Sequence, residues 1–195
     1  MPRIMKEGEH MTIYERLDKI LPEISKKQFR ENRGTGNEIN FHIFDYDPKD
    51  EHIVRAHVDF LVKEMPEIKV FDLYKIMLNI LKDKGYLEKV FQMEEAKGSD
   101  AIVNPIKKTL RLTMPNDLII ETIKSNVNDG NIVFLVGVGK AYPFIRSHTI
   151  LNNLHSAINV PLVMFFPGTY DGLSLKLFDE IKDDNYYRAF RLIER

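Results

Sequence analysis

Five consecutive apolar residues, Ile132-Val133-Phe134-Leu135-Val136, leave one segment of this chain without a face that tolerates water. A strand with one wet face alternates apolar and polar residues; a strand covered on both faces does not. The run is too short for a buried helix, and glycine punctuates it at Gly130 and Gly137. It reads as a central strand that must be covered from both sides, which calls for an α/β architecture.

The rest of the chain supplies the covering layers. Residues 12–30 read as an amphipathic helix with Ile13, Leu17, Ile20, Leu21 and Ile24 on one face. Thr12 and Glu15 form a capping box, and Pro22 kinks or divides the helix. Residues 41–46 read as a first strand. Asp47 before Pro48 then starts a helix marked by Val54, Val58, Leu61 and Met65 and stopped by Pro66. Residues 68–73 read as a second strand, parallel to the first in a βαβ unit.

Residues 73–97 read as helical, broken at Gly85, with an irregular stretch through Asn104-Pro105. Pro115 reads as the start of another helix, whose inner face holds Leu118, Ile119, Thr122 and Ile123. Residues 145–158 read as a further helix and 160–166 as a strand, closed by a turn at Pro167-Gly168-Thr169. Residues 175–178 and 187–193 read as short edge strands. The expected fold is an α/β three-layer sandwich with a mostly parallel central sheet and a helical insertion. Its topology is Rossmann-like or P-loop-like, without the nucleotide motif. A single domain is expected over 1–195, with residues 1–11 flexible or not native and the purpose of 73–116 left open.

Composition narrows the function classes. At 195 residues, 44% of them hydrophobic, the chain buries roughly 70% of its unfolded surface without a staple. It has no cysteine, which excludes zinc–thiolate and iron–sulfur sites, thiol nucleophiles and disulfides. The net charge of −1 argues against nucleic-acid binding by the whole surface and leaves only a local patch. No apolar run reaches the roughly 18 residues of a membrane helix, so no membrane association and a cytoplasmic location are expected.

Each candidate for chemistry has a plain structural alternative. Gly137-Val138-Gly139-Lys140 follows the buried strand, where a phosphate loop would sit. Yet Phe134, Ala141 and Tyr142 occupy the places where the nucleotide motifs need glycine or a hydroxyl, so a tight turn is the better reading. Asp45 and Asp47 could hold Mg²⁺ or move protons, but structural use is the better reading: Asp47 caps a helix, and Asp45 could accept donors from a neighbouring loop. None of the six histidines has metal-pair spacing, and Ser147 beside His148 cannot form a dyad on one helix. Lys26, Lys27, Arg30 and Arg33 could grip phosphates or simply be a solvated helix end. Lys107, Lys108 and Arg111 read as another solvated end. No metal and no cofactor are expected.

Three stretches taken together carry a resemblance. They are Phe41-His42-Ile43-Phe44-Asp45-Tyr46-Asp47-Pro48; residues 133–148 with Leu151-Asn152-Asn153-Leu154; and residues 161–169 with Gly172-Leu173-Ser174-Leu175. In this order and spacing the chain resembles the BrxB family of the BREX (bacteriophage exclusion) defence systems, weakly over residues 71–116. The resemblance implies work beside a DNA methyltransferase, a PglZ-type protein of the alkaline phosphatase superfamily and a large ATPase. Such systems mark host DNA and block unmarked phage DNA. It brings no catalytic residues. The expected role is a non-catalytic interaction subunit for PglZ or the methyltransferase assembly, with indirect DNA association and a homodimer left open. The expected partner or ligand face comprises Asp45, Asp47, Gly137, Gly139, Pro143, Phe144, Arg146, His148, Asn152, Asn153, Pro167 and Gly168. A metal-dependent phosphoesterase or nuclease using Asp45 and Asp47, or a DNA-binding module, are the alternatives.

Overall fold

A computed structural model describes residues 11–31, 40–183 and 189–195, with the side chains of residues 31 and 183 left aside. The expected first helix is divided into α1 (Ile13–Leu17), α2 (Ile20–Ile24) and α3 (Lys27–Glu31). Thr12 and Glu15 make the capping box that opens α1. Pro22 is the third residue of α2, where its missing N–H is tolerated and a continuous helix is not.

β1 (Phe41–Tyr46) leads through a single 3₁₀ turn, Pro48–Asp50, into α4 (Glu51–Glu64). The Asp47 carboxylate accepts from the Lys49 N–H at 3.0 Å and so caps this turn. Val54, Val58 and Leu61 are buried along α4 as the spacing predicts. Next come β2 (Ile68–Asp72), α5 (Leu73–Asp83), α6 (Leu87–Lys97) and α7 (Asp100–Leu110). The irregularity expected at Asn104-Pro105 is absent, because α7 runs straight through Pro105. An interior proline costs about 3 kcal/mol. Burial of Ile102, Ile106 and Leu110 on one face of α7 offsets it.

α8 (Leu118–Lys124) starts after its N-cap Asp117 rather than at Pro115, because the Asp117 carboxylate accepts from the Ile119 and Ile120 N–H groups at 2.9 and 3.3 Å. Its buried face is Ile119, Ile120 and Ile123, while Leu118 and Thr122 lie partly outside. β3 (Ile132–Val136), α9 (Val138–Ala141), α10 (Ser147–His155) and β4 (Leu162–Tyr170) follow. The turn expected at Pro167-Gly168-Thr169 does not occur. β4 continues through it and pairs antiparallel with β5 (Leu175–Leu177), which pairs with β6 (Ile181–Asp183). Of the expected 187–193 strand, residues 189–193 lie within the described residues, and only β7 (Phe190–Arg191) of these is strand.

The sheet order is β2-β3-β4-β1-β7 with every neighbouring pair on this path parallel. β1 and β2 are therefore parallel but not adjacent; β3 and β4 lie between them. Alternation along β3 divides the core as a doubly covered strand should. Ile132 and Phe134 face the layer of α1–α4, and Val133 and Leu135 face that of α5 and α7–α10. The step from β1 to β2 crosses one face, and the steps β2–β3–β4 return across the other. Opposite directions on opposite faces are what a uniform crossover hand requires. They place the switch point of the topology between β1 and its neighbours, at the carboxyl ends of the strands. No helix of the described residues is long and apolar enough to cross a membrane.

One buried group makes the fold sensitive to acid. The His42 ring lies 4.8 Å from Phe29 and 5.9 Å from Phe190, and its Nδ1 is buried without a hydrogen-bond partner. Burial lowers its pKa from 6.5 to about 4. The unfolded chain therefore takes up this proton first, and stability falls as the pH drops from 6.5 towards 4. Between about pH 6.5 and 4.5, urea denaturation should show the wild type losing about 2 kcal/mol more than His42→Phe. Equal losses in the two proteins would remove His42 as the cause.

Candidate functional site

In an open parallel sheet, ligands bind outside the carboxyl ends of the strands at the switch point. Here the chain's own groups fill that crevice. Asp45, next to last in β1, is fully buried. Arg16 Nη2 lies 3.1 Å from its Oδ1, while Arg195 Nε and the Tyr170 N–H lie 3.2 and 3.1 Å from its Oδ2. Arg16 is itself buried, and it donates also to the carbonyls of Asp45, Ile193 and Glu194. Burial lowers the pKa of Arg16, and the Asp45 charge works against that shift. Both carboxylate oxygens of Asp45 are thus engaged by the fold. Asp47 sits apart, its second oxygen 2.7 Å from Lys49 Nζ. Hydrogen bonds from Lys49 hold its carboxyl below the ordinary range. Among the described residues no three His, Asp or Glu side chains converge as metal ligands would.

The glycine loop after β3 is equally occupied. Gly137 has φ +73°, and a Cβ there would sit 2.3 Å from Asp72 Oδ1. Asp72 caps α5 through the Tyr74 and Lys75 N–H groups and pairs with Lys140 Nζ at 2.9 Å. Burial would raise the Asp72 pKa, but the Lys140 and Lys75 contacts bring it below the ordinary value. Gly139 makes room for the Phe178 ring, which a Cβ would meet at 2.8 Å. Gly168 has the Lys176 carbonyl where its Cβ would be, at 2.1 Å, and Pro167 beside it is buried. Gly137, Gly139 and Gly168 therefore serve close packing; Gly137, Pro167 and Gly168 are buried, and Gly139 is half-buried.

Other members of the expected face separate. Pro143 follows a cis peptide bond and is half-buried in the turn between α9 and α10. His148 is half-buried, its Nε2 3.3 Å from Thr149 Oγ1. Asn153 donates to Asp117 Oδ2 at 3.4 Å, whereas Asn152 is exposed. Burial raises the Asp117 pKa against the pull of its N–H donors. Phe144 and Arg146 do reach an open groove of about 650 Å³ between the start of α10 and the end of α7. Lys107, Lys108 and Arg111 line its other side. Sequence spacing does not reveal this meeting, since the two groups lie more than thirty residues apart on separate elements. The first basic cluster is balanced locally: Lys26 pairs with Glu23 at 2.5 Å, and Arg30 lies 3.6 Å from Glu67. Lys27 is exposed, and Arg33 lies outside the described residues.

Beside the filled crevice, the turns around β5 expose apolar side chains. Leu173 is 59% exposed and Phe178 37%. Phe178 and Asp179 both have positive φ, 55° and 58°, which a bulky side chain rarely adopts.

A family model described as BREX protein BrxB matches residues 69–192. A BREX protein BrxB of Bacillus cereus (strain H3081.97) is 60% identical over 189 residues, covering 94% of this chain and 98% of that one. The chain belongs to the BrxB family. A BREX protein BrxB of Escherichia coli O9:H4 (strain HS) is 34% identical over 182 residues, 91% of this chain and 90% of the relative. The BrxB match includes the helical segment that the sequence resemblance barely reached, together with every basic residue of the groove. No solved structure matches the chain.

Proposed function

We propose that the chain serves a BREX-type antiviral system as a non-catalytic interaction subunit, docking onto a PglZ-type protein or the methyltransferase assembly in the cytoplasm. Membership of the BrxB family supports the system, and the filled crevice supports the mode of action. The observation that carries the reading is Asp45, held on both oxygens by Arg16, Arg195 and the Tyr170 N–H. A phosphoesterase built on Asp45 and Asp47 would have to break that network before it could take a metal. A DNA-binding module built on Lys26 and Arg30 would have to displace Glu23 and Glu67. Neither alternative gains from the geometry.

The exposed Leu173 and Phe178 beside this crevice are the anchors such a docking surface needs, because apolar and aromatic anchors carry most of the energy of an interface. Tagged chain co-expressed with the PglZ-type protein and the methyltransferase is expected to draw at least one of them through size exclusion in fixed stoichiometry. Leu173→Glu should release it without lowering the melting temperature. Elution of the wild type alone in every combination would refute the proposal.

A further inference from the structure

The groove between α7 and α10 carries a charge pattern that the docking role does not use. Lys107, Lys108 and Arg111 come from the last turn and C-cap of α7, and Arg146 is the N-cap residue of α10. Four cations thus gather at one groove in a chain whose net charge is −1. Among the described residues no carboxylate lies within ion-pair distance of Lys107, Lys108 or Arg111, unlike Lys26 and Arg30. α10 also turns its positive dipole end towards this groove, with no side-chain cap at Arg146. Thr113 and Thr149 line it as well.

Charge alone would suit any anion, but the groove also has an apolar part. Met114 is 57% exposed, and the half-buried Phe144 ring lines the groove from the α9–α10 turn. A volume of about 650 Å³ is that of a small-molecule site. Cations beside an aromatic ring suit a ligand with phosphates at one end and a flat base at the other. We infer that this groove binds a nucleoside phosphate, free or as part of a nucleic-acid strand. Lys107, Lys108, Arg111 and Arg146 face the phosphates, and Phe144 receives the base. An acidic peptide would use the same cations but would have no need of the ring.

The test uses the full chain with four probes in fluorescence anisotropy and calorimetry: ATP, inorganic pyrophosphate, a labelled ten-residue oligothymidylate and polyglutamate. ATP or the oligonucleotide is expected to bind, and more weakly as salt rises from about 50 to 200 mM. The double variant Lys108→Glu/Arg111→Glu, exposed at both positions, should lose at least about tenfold in affinity while still unfolding cooperatively, with only the small drop in melting temperature that charge reversal at a helix C-terminus brings. Phe144→Leu keeps the apolar packing and should weaken ATP or oligonucleotide while leaving pyrophosphate as it was. ATP that displaces the oligonucleotide identifies a free nucleotide as the ligand; binding of the oligonucleotide alone identifies a strand. No binding by either, binding that ignores the double variant, or polyglutamate competing equally with an indifferent Phe144→Leu would each overturn the inference. Failure here leaves partner co-elution untouched, because the anchors of that surface lie outside the groove.

Discussion

Replacing Arg16 by Met is expected to destabilise the fold by about 3–5 kcal/mol, the range for removing one partner of a buried ion pair. The change leaves the Asp45 carboxylate buried with only the part-exposed Arg195 and one backbone N–H as partners. It also strips a donor from three carbonyls, those of Asp45, Ile193 and Glu194. These contacts join α1, β1, the end of β4 and the last residues of the chain, so the loss should be global and not a local fraying. The double variant Arg16→Met/Asp45→Leu should cost clearly less than the sum of the two single changes, because it removes the orphaned charge together with its partner. Urea denaturation of the wild type, both single variants and the double variant measures that coupling. Unchanged stability in Arg16→Met would mean that Asp45 is not held by this pair, and the carboxylate would return as a candidate metal ligand.

Arg16 carries a signal of the site in the sequence itself. It falls at i+3 from Ile13, inside the apolar stripe that continues through Leu17 and Ile20. A charge in that position announces a buried counter-charge, and Asp45 is the one acidic residue of β1. The layers were legible because Ile132–Val136 admits only one environment and because Asp47-Pro48 sets a helix start by local chemistry. The path of β4 was not. Pro167-Gly168-Thr169 has the composition of a turn, and it is pairing with β1 at Pro167 and with the antiparallel β5 at Gly168 and Thr169 that keeps those residues extended. Asn104-Pro105 misleads for the same reason, since burial along α7 outweighs local preference.

The candidate site divides along the same line. Whether Gly137 opens space for a phosphate or for Asp72 depends on a residue sixty-five positions away. The groove brings together Phe144 and Arg146, legible as part of a family pattern, with Lys107, Lys108 and Arg111, which on their own helix look like an ordinary solvated end. Where a contact is made by sheet order and helix packing, periodicity within one element carries no trace of it.

The strongest expected effect in cells follows from the proposed docking role. Removing a central apolar anchor from an interface costs about 2 kcal/mol or more, about thirtyfold in affinity. An introduced carboxylate at the same place adds desolvation to that loss. Asp47→Ala, by contrast, removes a turn cap worth about 1 kcal/mol and touches no anchor. Phage plaquing on cells that carry the complete defence system, with this chain as wild type, Leu173→Glu or Asp47→Ala, separates binding from chemistry in one measurement. Protection lost in Leu173→Glu and retained in Asp47→Ala, with both proteins present at wild-type level, is the predicted result. Protection retained in Leu173→Glu and lost in Asp47→Ala would contradict a subunit that acts by docking.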